Sequence, residues 1–308
     1  MLRPSSPARL RGLLLICLAA VSWGTTGSVM TILAARAAAH PLVVGAVRML
    51  PAAVLLLLAA RVIAGTVRLP RAARLPCVVM GIAMAAFQAT YFSAVPLTGI
   101  VVAALIAICS APLLIAALAA AFLGERLTPR VGLALALGVA GTALLIAGPG
   151  ADARLSPRFV AGVLLALGAG LSYAVYVVVA KAALAATAPL PLAGATFAVA
   201  ALTLLPALLL PGAPRQIELG WPWMVYLGVV ATAGAYALYT IGLQDVPAST
   251  AGVATLLEPL TATLLGVLVF GEHLGAAGAA GALLLFAALG LLVAEERRRA
   301  NGRLAPER

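Results

Sequence analysis

The sequence predicts an all-α integral membrane protein of ten transmembrane helices, arranged as two inverted five-helix repeats. Three observations predict it. The first is composition: 64% of the 308 residues are hydrophobic and only 9% are charged, against about 25% charged in soluble domains. The mean hydropathy is +1.15. The second is length. Apolar runs of about 20 residues, each able to cross about 30 Å of hydrocarbon, follow one another along the chain. The third is an internal repeat whose unit holds an odd number of such runs.

The runs lie at roughly 12–35, 41–60, 75–95, 98–122, 130–148, 159–182, 191–210, 221–243, 248–270 and 276–294. Short loops and basic tails make up the rest, so no soluble domain is expected. Arg9 and Arg11 precede "GLLLICLAAV", which by itself resembles a signal peptide. The run continues through "SWGTTGSVMTILAA" without a convincing cleavage site, so it reads as a retained first span. The fifth and tenth runs carry "GLALALGVAG" (132–141) and "GAAGAAGALLLFAALG" (275–290). Small residues at helical spacing allow close backbone approach in lipid, and these spans are candidates for pairing between protomers.

The repeat orders the runs. With a shift of 147, "APLLIAALAAAFLGERL" (111–127) lies on "EPLTATLLGVLVFGEHL" (258–274). Pro112 then meets Pro259, Gly124 meets Gly271, and Glu125 meets Glu272. With a shift of 150, Gly12 meets Gly162, Ser22 meets Ser172, Trp23 meets Tyr173, and Pro41 meets Pro191. Residues 1–150 and 151–308 therefore read as two copies of one five-span unit. Five is odd, so the second copy enters the membrane from the opposite side, as in secondary transporters.

Charge sets the orientation. Of the 20 Lys and Arg residues, fifteen fall on the side of the N-terminus, four (Arg36, Arg154, Arg158 and Arg215) on the other, and Arg48 within a span. The positive-inside rule places both termini in the cytoplasm. The net charge of +11 is thus a matter of topology and of contact with anionic lipid, not of nucleic acid.

The "WG" at 23–24, Arg48 in the second span, and the paired "P…LGE" and "P…FGE" endings of spans 4 and 9 resemble the EamA type of the drug/metabolite transporter superfamily. The resemblance covers nearly the whole chain. It implies a ten-helix carrier of the bacterial inner membrane, often an exporter of amino acids or other small metabolites, and says little about the substrate.

Glu258 lies about ten residues into its span, close to the bilayer centre. An ionised acid there costs on the order of 2.5–3.5 kcal/mol and needs a cavity, a partner or a proton. Pro259, beside it, frees a carbonyl one turn earlier. Its repeat equivalent is Pro112, so the proline reads as shared scaffold. The equivalent of Glu258 is Ala111, so the acid reads as added function: a counter-ion for an amine, a proton-coupling group, or a protonated structural bond. Arg48, whose equivalent is Ala198, is the one clear intramembrane cation. It suits a substrate carboxylate or a cap on carbonyl ends. Trp23, Gln88, Tyr91, Ser110, Tyr173, Tyr176, Tyr236 and Tyr239 are candidates to line a cavity. Tyr173 and Tyr176, and Tyr236 and Tyr239, each lie one turn apart. Glu125 and Glu272 end their spans at Gly-Glu and suggest a shared structural or gating task. Lys181, at the end of span 6, is expected to snorkel to the interface.

Other classes fit less well. One deep carboxylate with no histidine beside it supplies no catalytic pair, so no enzyme is expected. No filter-like segment suggests a channel. No phosphate-binding loop is present, so no nucleotide cofactor is expected and energy must come from a gradient. Cys17, Cys77 and Cys109, with His40 and His273, form no metal or disulfide pattern. The expected partners are a small-molecule substrate and membrane lipid, with no nucleic acid. A coupling proton is compatible, as is either a monomer or a homodimer. A multidrug or cation efflux carrier of the same fold, or an accessory membrane protein, are the alternatives.

Overall fold

The computed structural model describes residues 6–98, 100–146, 156–270 and 275–301. The first half runs through α1 (Ser6–Gly24), α2 (Thr26–Ala37), α3 (Pro41–Ile63), α4 (Arg71–Thr98), α5 (Ile100–Leu123) and α6 (Pro129–Ile146). The second runs through α7 (Pro157–Ala183), α8 (Pro189–Leu204), α9 (Ala213–Gly228), α10 (Ala235–Asp245), α11 (Ala248–Ala254), α12 (Leu257–Phe270) and α13 (Ala276–Asn301). Among the described residues, nine helical stretches are long and apolar enough to cross a membrane. The expected fifth span is a shorter apolar helix, Pro129–Leu144, whose end adjoins residues outside the description. The protein is a multi-pass, all-helical membrane protein.

Starts are set by proline and caps. Pro41 and Pro157 occupy first-turn positions, where a missing N–H costs nothing. His40 Nδ1 accepts from the Leu42 N–H, and Ser156 Oγ accepts from the Phe159 N–H at 3.2 Å.

Three of the long runs, expected as single helices, are interrupted. The first divides at Thr25 between α1 and α2, where Thr25 Oγ1 donates to the Ser22 carbonyl at 2.7 Å. The eighth passes through a π-helical turn, Val229–Gly234, between α9 and α10. There Thr232 Oγ1 donates to the Leu227 carbonyl at 2.7 Å. The ninth breaks between α11 and α12. Pro259 has no N–H to give the Thr255 carbonyl, which accepts instead from the Glu258 N–H at 2.9 Å. The turn tightens and a new helix starts. Breaks of this kind persist in membranes only where side chains or neighbouring helices satisfy the backbone.

The helices pack α4 along α7, α5 on α7, α3 on α8, α1 on α10 and α6 on α13, with α4 also touching α8 and α3 touching α9. Glycine permits the closest crossings. A Cβ on Gly12 would stand 2.7 Å from the Gly242 carbonyl oxygen, and one on Gly141 would stand 2.7 Å from that of Gly281. The small-residue stripes of spans 5 and 10 are therefore paired with each other within the chain. Leu202, Leu209, Phe122 and Leu268 point outward and are strongly exposed, as a lipid-facing surface requires.

Candidate substrate site

Glu258 lies in the first turn of α12, not in the middle of a helix. Its carboxylate thus has the favourable end of a helix dipole beneath it, worth about 0.3–2 kcal/mol. Half-helix starts inside the membrane recur at transporter substrate sites. The side chain is half-buried, and Pro259 behind it is buried. Gly24, at the end of α1, packs against the Glu258 carbonyl, where a Cβ would stand at 2.8 Å. The interruption of the first span and the break in the ninth thus meet at the Glu258 backbone.

Arg48 projects from α3 and is 9% exposed. It interacts electrostatically with Glu258 and with Tyr236, yet closes no ion pair with either among the described residues. Its Nε has no acceptor. Gly228 of α9 lies against the Arg48 backbone and Pro51, which brings span 8 close to this point.

The aromatic candidates converge. The Trp23 ring lies 4.7 Å from Tyr236, 5.2 Å from Tyr239 and 6.4 Å from Tyr173, the last edge-on at 89°. Tyr176 stacks on Tyr173 at 6.1 Å. These separations are those of favourable aromatic pairs. Phe87 joins Tyr173 to Tyr91, each at 6.0 Å, and Phe197 packs on Tyr236 at 4.5 Å. Neither phenylalanine was a candidate. Phe87 was findable, because it lies one turn before Tyr91; Phe197 carries no such signal. Tyr91, Tyr173 and Tyr236 all sense the Glu258 carboxylate. The Trp23 Nε1 and the Gln88 Nε2 are buried without a hydrogen-bond partner.

The remaining candidates lie elsewhere. Ser110 Oγ donates to the Ala107 carbonyl at 3.4 Å and packs against Gly170 where α5 crosses α7. Pro112 lies inside the unbroken α5. The two repeat-equivalent prolines therefore have different surroundings, since Pro259 sits at a helix start. Glu125 accepts from the Ala248 N–H at 2.6 Å, the Ser249 N–H at 3.0 Å and the Ser249 hydroxyl at 2.7 Å. It caps α11, in the other half of the chain, and not the adjacent α6. Lys181, expected to snorkel to the interface, donates from its Nζ to the carbonyls of Leu243 at 2.7 Å and Gln244 at 2.9 Å, closing the end of α10. Glu272 lies outside the described residues. No group of three metal-ligating side chains is found among the described residues.

The family model for EamA-like transporters matches residues 10–147 and again residues 160–294. The chain belongs to the EamA-like transporter family. Its relatives include a Bacillus subtilis (strain 168) protein named uncharacterized transporter YwfM, 35% identical over 287 residues, which span 91% of this chain and 92% of that one. The aromatic amino acid exporter YddG of Ancylobacter novellus is 29% identical over 199 residues, 65% of this chain and 67% of its own. A solved crystal structure covers 96% of this chain and 99% of its own, at 26% identity and a TM-score of 0.79. The EamA-like chain described here thus has transporters for relatives, and transporters are not enzymes.

Proposed function

We propose that the protein is a secondary transporter that exports amino acids or related small metabolites across the bacterial inner membrane by alternating access. The substrate site lies near the midplane, between two inverted five-helix repeats, 1–150 and 151–308, of a ten-span bundle. One observation carries the reading: Glu258, at a helix start within an apolar run, interacts electrostatically with the buried Arg48 but makes no ion pair with it among the described residues. Opposite charges within apolar spans that stay apart are costly unless a third body satisfies them. The relative named as an aromatic amino acid exporter supports the amino-acid class. A cation efflux carrier would also use the acid and the aromatic rings, but it gains nothing from Arg48.

The packing supports the repeat. If each span is exchanged for its equivalent five places on, the α4–α7 contact becomes α1–α10, and α4–α8 becomes α3–α9. The α3–α8 and α6–α13 contacts map onto themselves. Gly162, the equivalent of Gly12, likewise meets α4 closely, with a Cβ position 2.7 Å from Leu97 and 3.4 Å from the Ala94 carbonyl oxygen. The family model also matches each half separately.

The charge asymmetry supports cytoplasmic termini, and it has a direct test. An impermeant thiol reagent added outside should label a cysteine at position 152 and spare one at position 71. The reverse pattern would invert the topology, and labelling of both would overturn the span count.

In this orientation α11, with all seven residues buried, closes the cytoplasmic end. Glu125 from the first half holds its start, and Lys181 holds the end of α10 before it. Glu125→Ala removes three bonds to a charged acceptor, each worth about 1.5–3 kcal/mol at most. The variant should shift the protein towards its inward-open state. Labelling of a cysteine at position 255, applied from the cytoplasmic side of inside-out vesicles, is expected to rise by about ten-fold or more. An unchanged rate would remove the gating role and leave Glu125 as a helix cap alone.

A further inference from the structure

We infer that the cleft between the start of α6 and the end of α13 binds the phosphate group of an anionic phospholipid, with Arg130 and Arg298 as its ligands. The site is separate from the substrate site and goes beyond the transport reading. Three independent features converge on it.

Position comes first. Gly141 meets Gly281, Gly138 meets Ala288, and Arg130 meets Glu295, so α6 and α13 run antiparallel. Their apolar stretches, Pro129–Leu144 and Ala276–Glu295, therefore share a boundary at this point. A cleft of about 450 Å³ opens there, lined by Thr128, Pro129, Arg130, Glu295 and Arg298. Pockets for small ligands run to about 300–1,000 Å³. The end of two apolar stretches is the depth of lipid headgroups. Leu127 and Leu133, three residues to either side of Arg130, are exposed. Acyl chains thus have an apolar surface beside the charged groups, which a free phosphate could not use.

The donors come second. Arg130 Nη1 donates to Glu295 at 3.3 Å, and the two side chains are 41% and 10% exposed. The acid lies inside the cleft and the guanidinium nearer its mouth, so an incoming anion meets the guanidinium first. One bond holds Arg130 in place and leaves most of its five donors unused. Arg298 is exposed and makes no hydrogen bond or ion pair among the described residues. Thr128 Oγ1 accepts from the Val131 N–H at 3.3 Å, which leaves its O–H to donate. The positive end of the α6 dipole lies at the same place. Two guanidiniums outnumber the one acid, and each can grip a phosphate through two bonds. A choline headgroup would set a cation beside them.

The repeat comes third. With the shift of 147 that aligns the halves, Thr128 and Arg130 have Gly275 and Ala277 as equivalents, and Glu295 and Arg298 have Gly148 and Ala151. The opposite end of the same helix pair therefore carries no polar side chain at any of the four positions. The repeat unit does not call for these groups; they are added at one end only. In the proposed orientation that end faces the cytoplasmic leaflet, whose surface potential is negative.

The test is native mass spectrometry of the purified full-length protein in detergent, titrated with phosphatidylglycerol, phosphatidylcholine or inorganic phosphate. Phosphatidylglycerol is expected to bind about ten-fold or more tightly than either of the others. Arg298→Gln breaks no bond among the described residues, so Tm should stay near that of the parent. It should weaken phosphatidylglycerol by about ten-fold or more and leave phosphatidylcholine unchanged. Arg74→Gln removes an exposed arginine of the same side outside the cleft and should keep the parent's affinity. The inference is overturned if phosphatidylcholine binds within about three-fold of phosphatidylglycerol. It is also overturned if a folded Arg298→Gln protein keeps the parent's affinity, or if Arg74→Gln loses as much as Arg298→Gln. Inorganic phosphate that binds as tightly as phosphatidylglycerol would make the ligand a free phosphate and overturn the lipid assignment. The comparison of ligands uses the parent alone, so an Arg298→Gln protein that fails to fold leaves the inference open to refutation. Each of these outcomes leaves the transport reading to its own test by substrate exchange.

Discussion

Glu258→Gln is expected to lower transport by about ten- to hundred-fold per inserted molecule, with the amount of protein in the membrane unchanged or slightly raised. The loss follows from the charge. Glutamine keeps the shape and one acceptor oxygen but can neither pair with an ammonium nor carry a proton. A hydrogen bond to a charged group is worth about 1.5–3 kcal/mol, and each 1.4 kcal/mol is ten-fold. The stability term runs the other way. A mid-membrane carboxylate costs about 2.5–3.5 kcal/mol, of which the start of α12 returns up to about 2 kcal/mol. Removing the charge therefore changes folding little and in the favourable direction. Efflux of a responding substrate from vesicles, normalised to inserted protein, measures both quantities. Parental transport in the variant would make the acid a packing group.

Arg48→Lys is expected to raise the apparent KM by about ten-fold and to leave abundance unchanged. Lysine keeps the positive charge but loses the planar fork that grips a carboxylate through two bonds. Arg48→Ala should reduce transport further, since Glu258 then loses its opposite charge. If the Arg48 side chain instead held the bundle together, the lysine variant would vanish from the membrane. Immunoblotting of membranes alongside transport separates the two outcomes.

Much of this site was legible in the sequence. A carboxylate and an arginine deep in apolar runs are expensive enough to mark themselves. The tyrosine pairs at one-turn spacing predicted shared faces, and Trp23, Tyr173, Tyr176, Tyr236 and Tyr239 meet in one cluster. Other features depend on contacts between distant segments, which no local pattern encodes. Glu125 bonds across 124 positions to Ser249, a partner that the Gly-Glu ending does not encode. Lys181 had carbonyls to satisfy at the end of α10. Ser110, polar within an apolar run, turned out to fill a helix crossing at Gly170. The break before Glu258 was half visible: Pro259 announced a lost bond, but a kink and a restart are indistinguishable from sequence, and Pro112 sits in an unbroken helix.

Exchange in proteoliposomes tests the central claim most directly. Purified protein is reconstituted in vesicles loaded with an unlabelled amino acid that it exchanges, and uptake of the labelled form is followed. A carrier whose site opens to one side at a time should show saturable uptake that is accelerated by substrate on the opposite side, and Glu258→Gln should lose it. Uptake that rises linearly with concentration and ignores the internal load would contradict alternating access, and so would equal exchange by the parent and the glutamine variant.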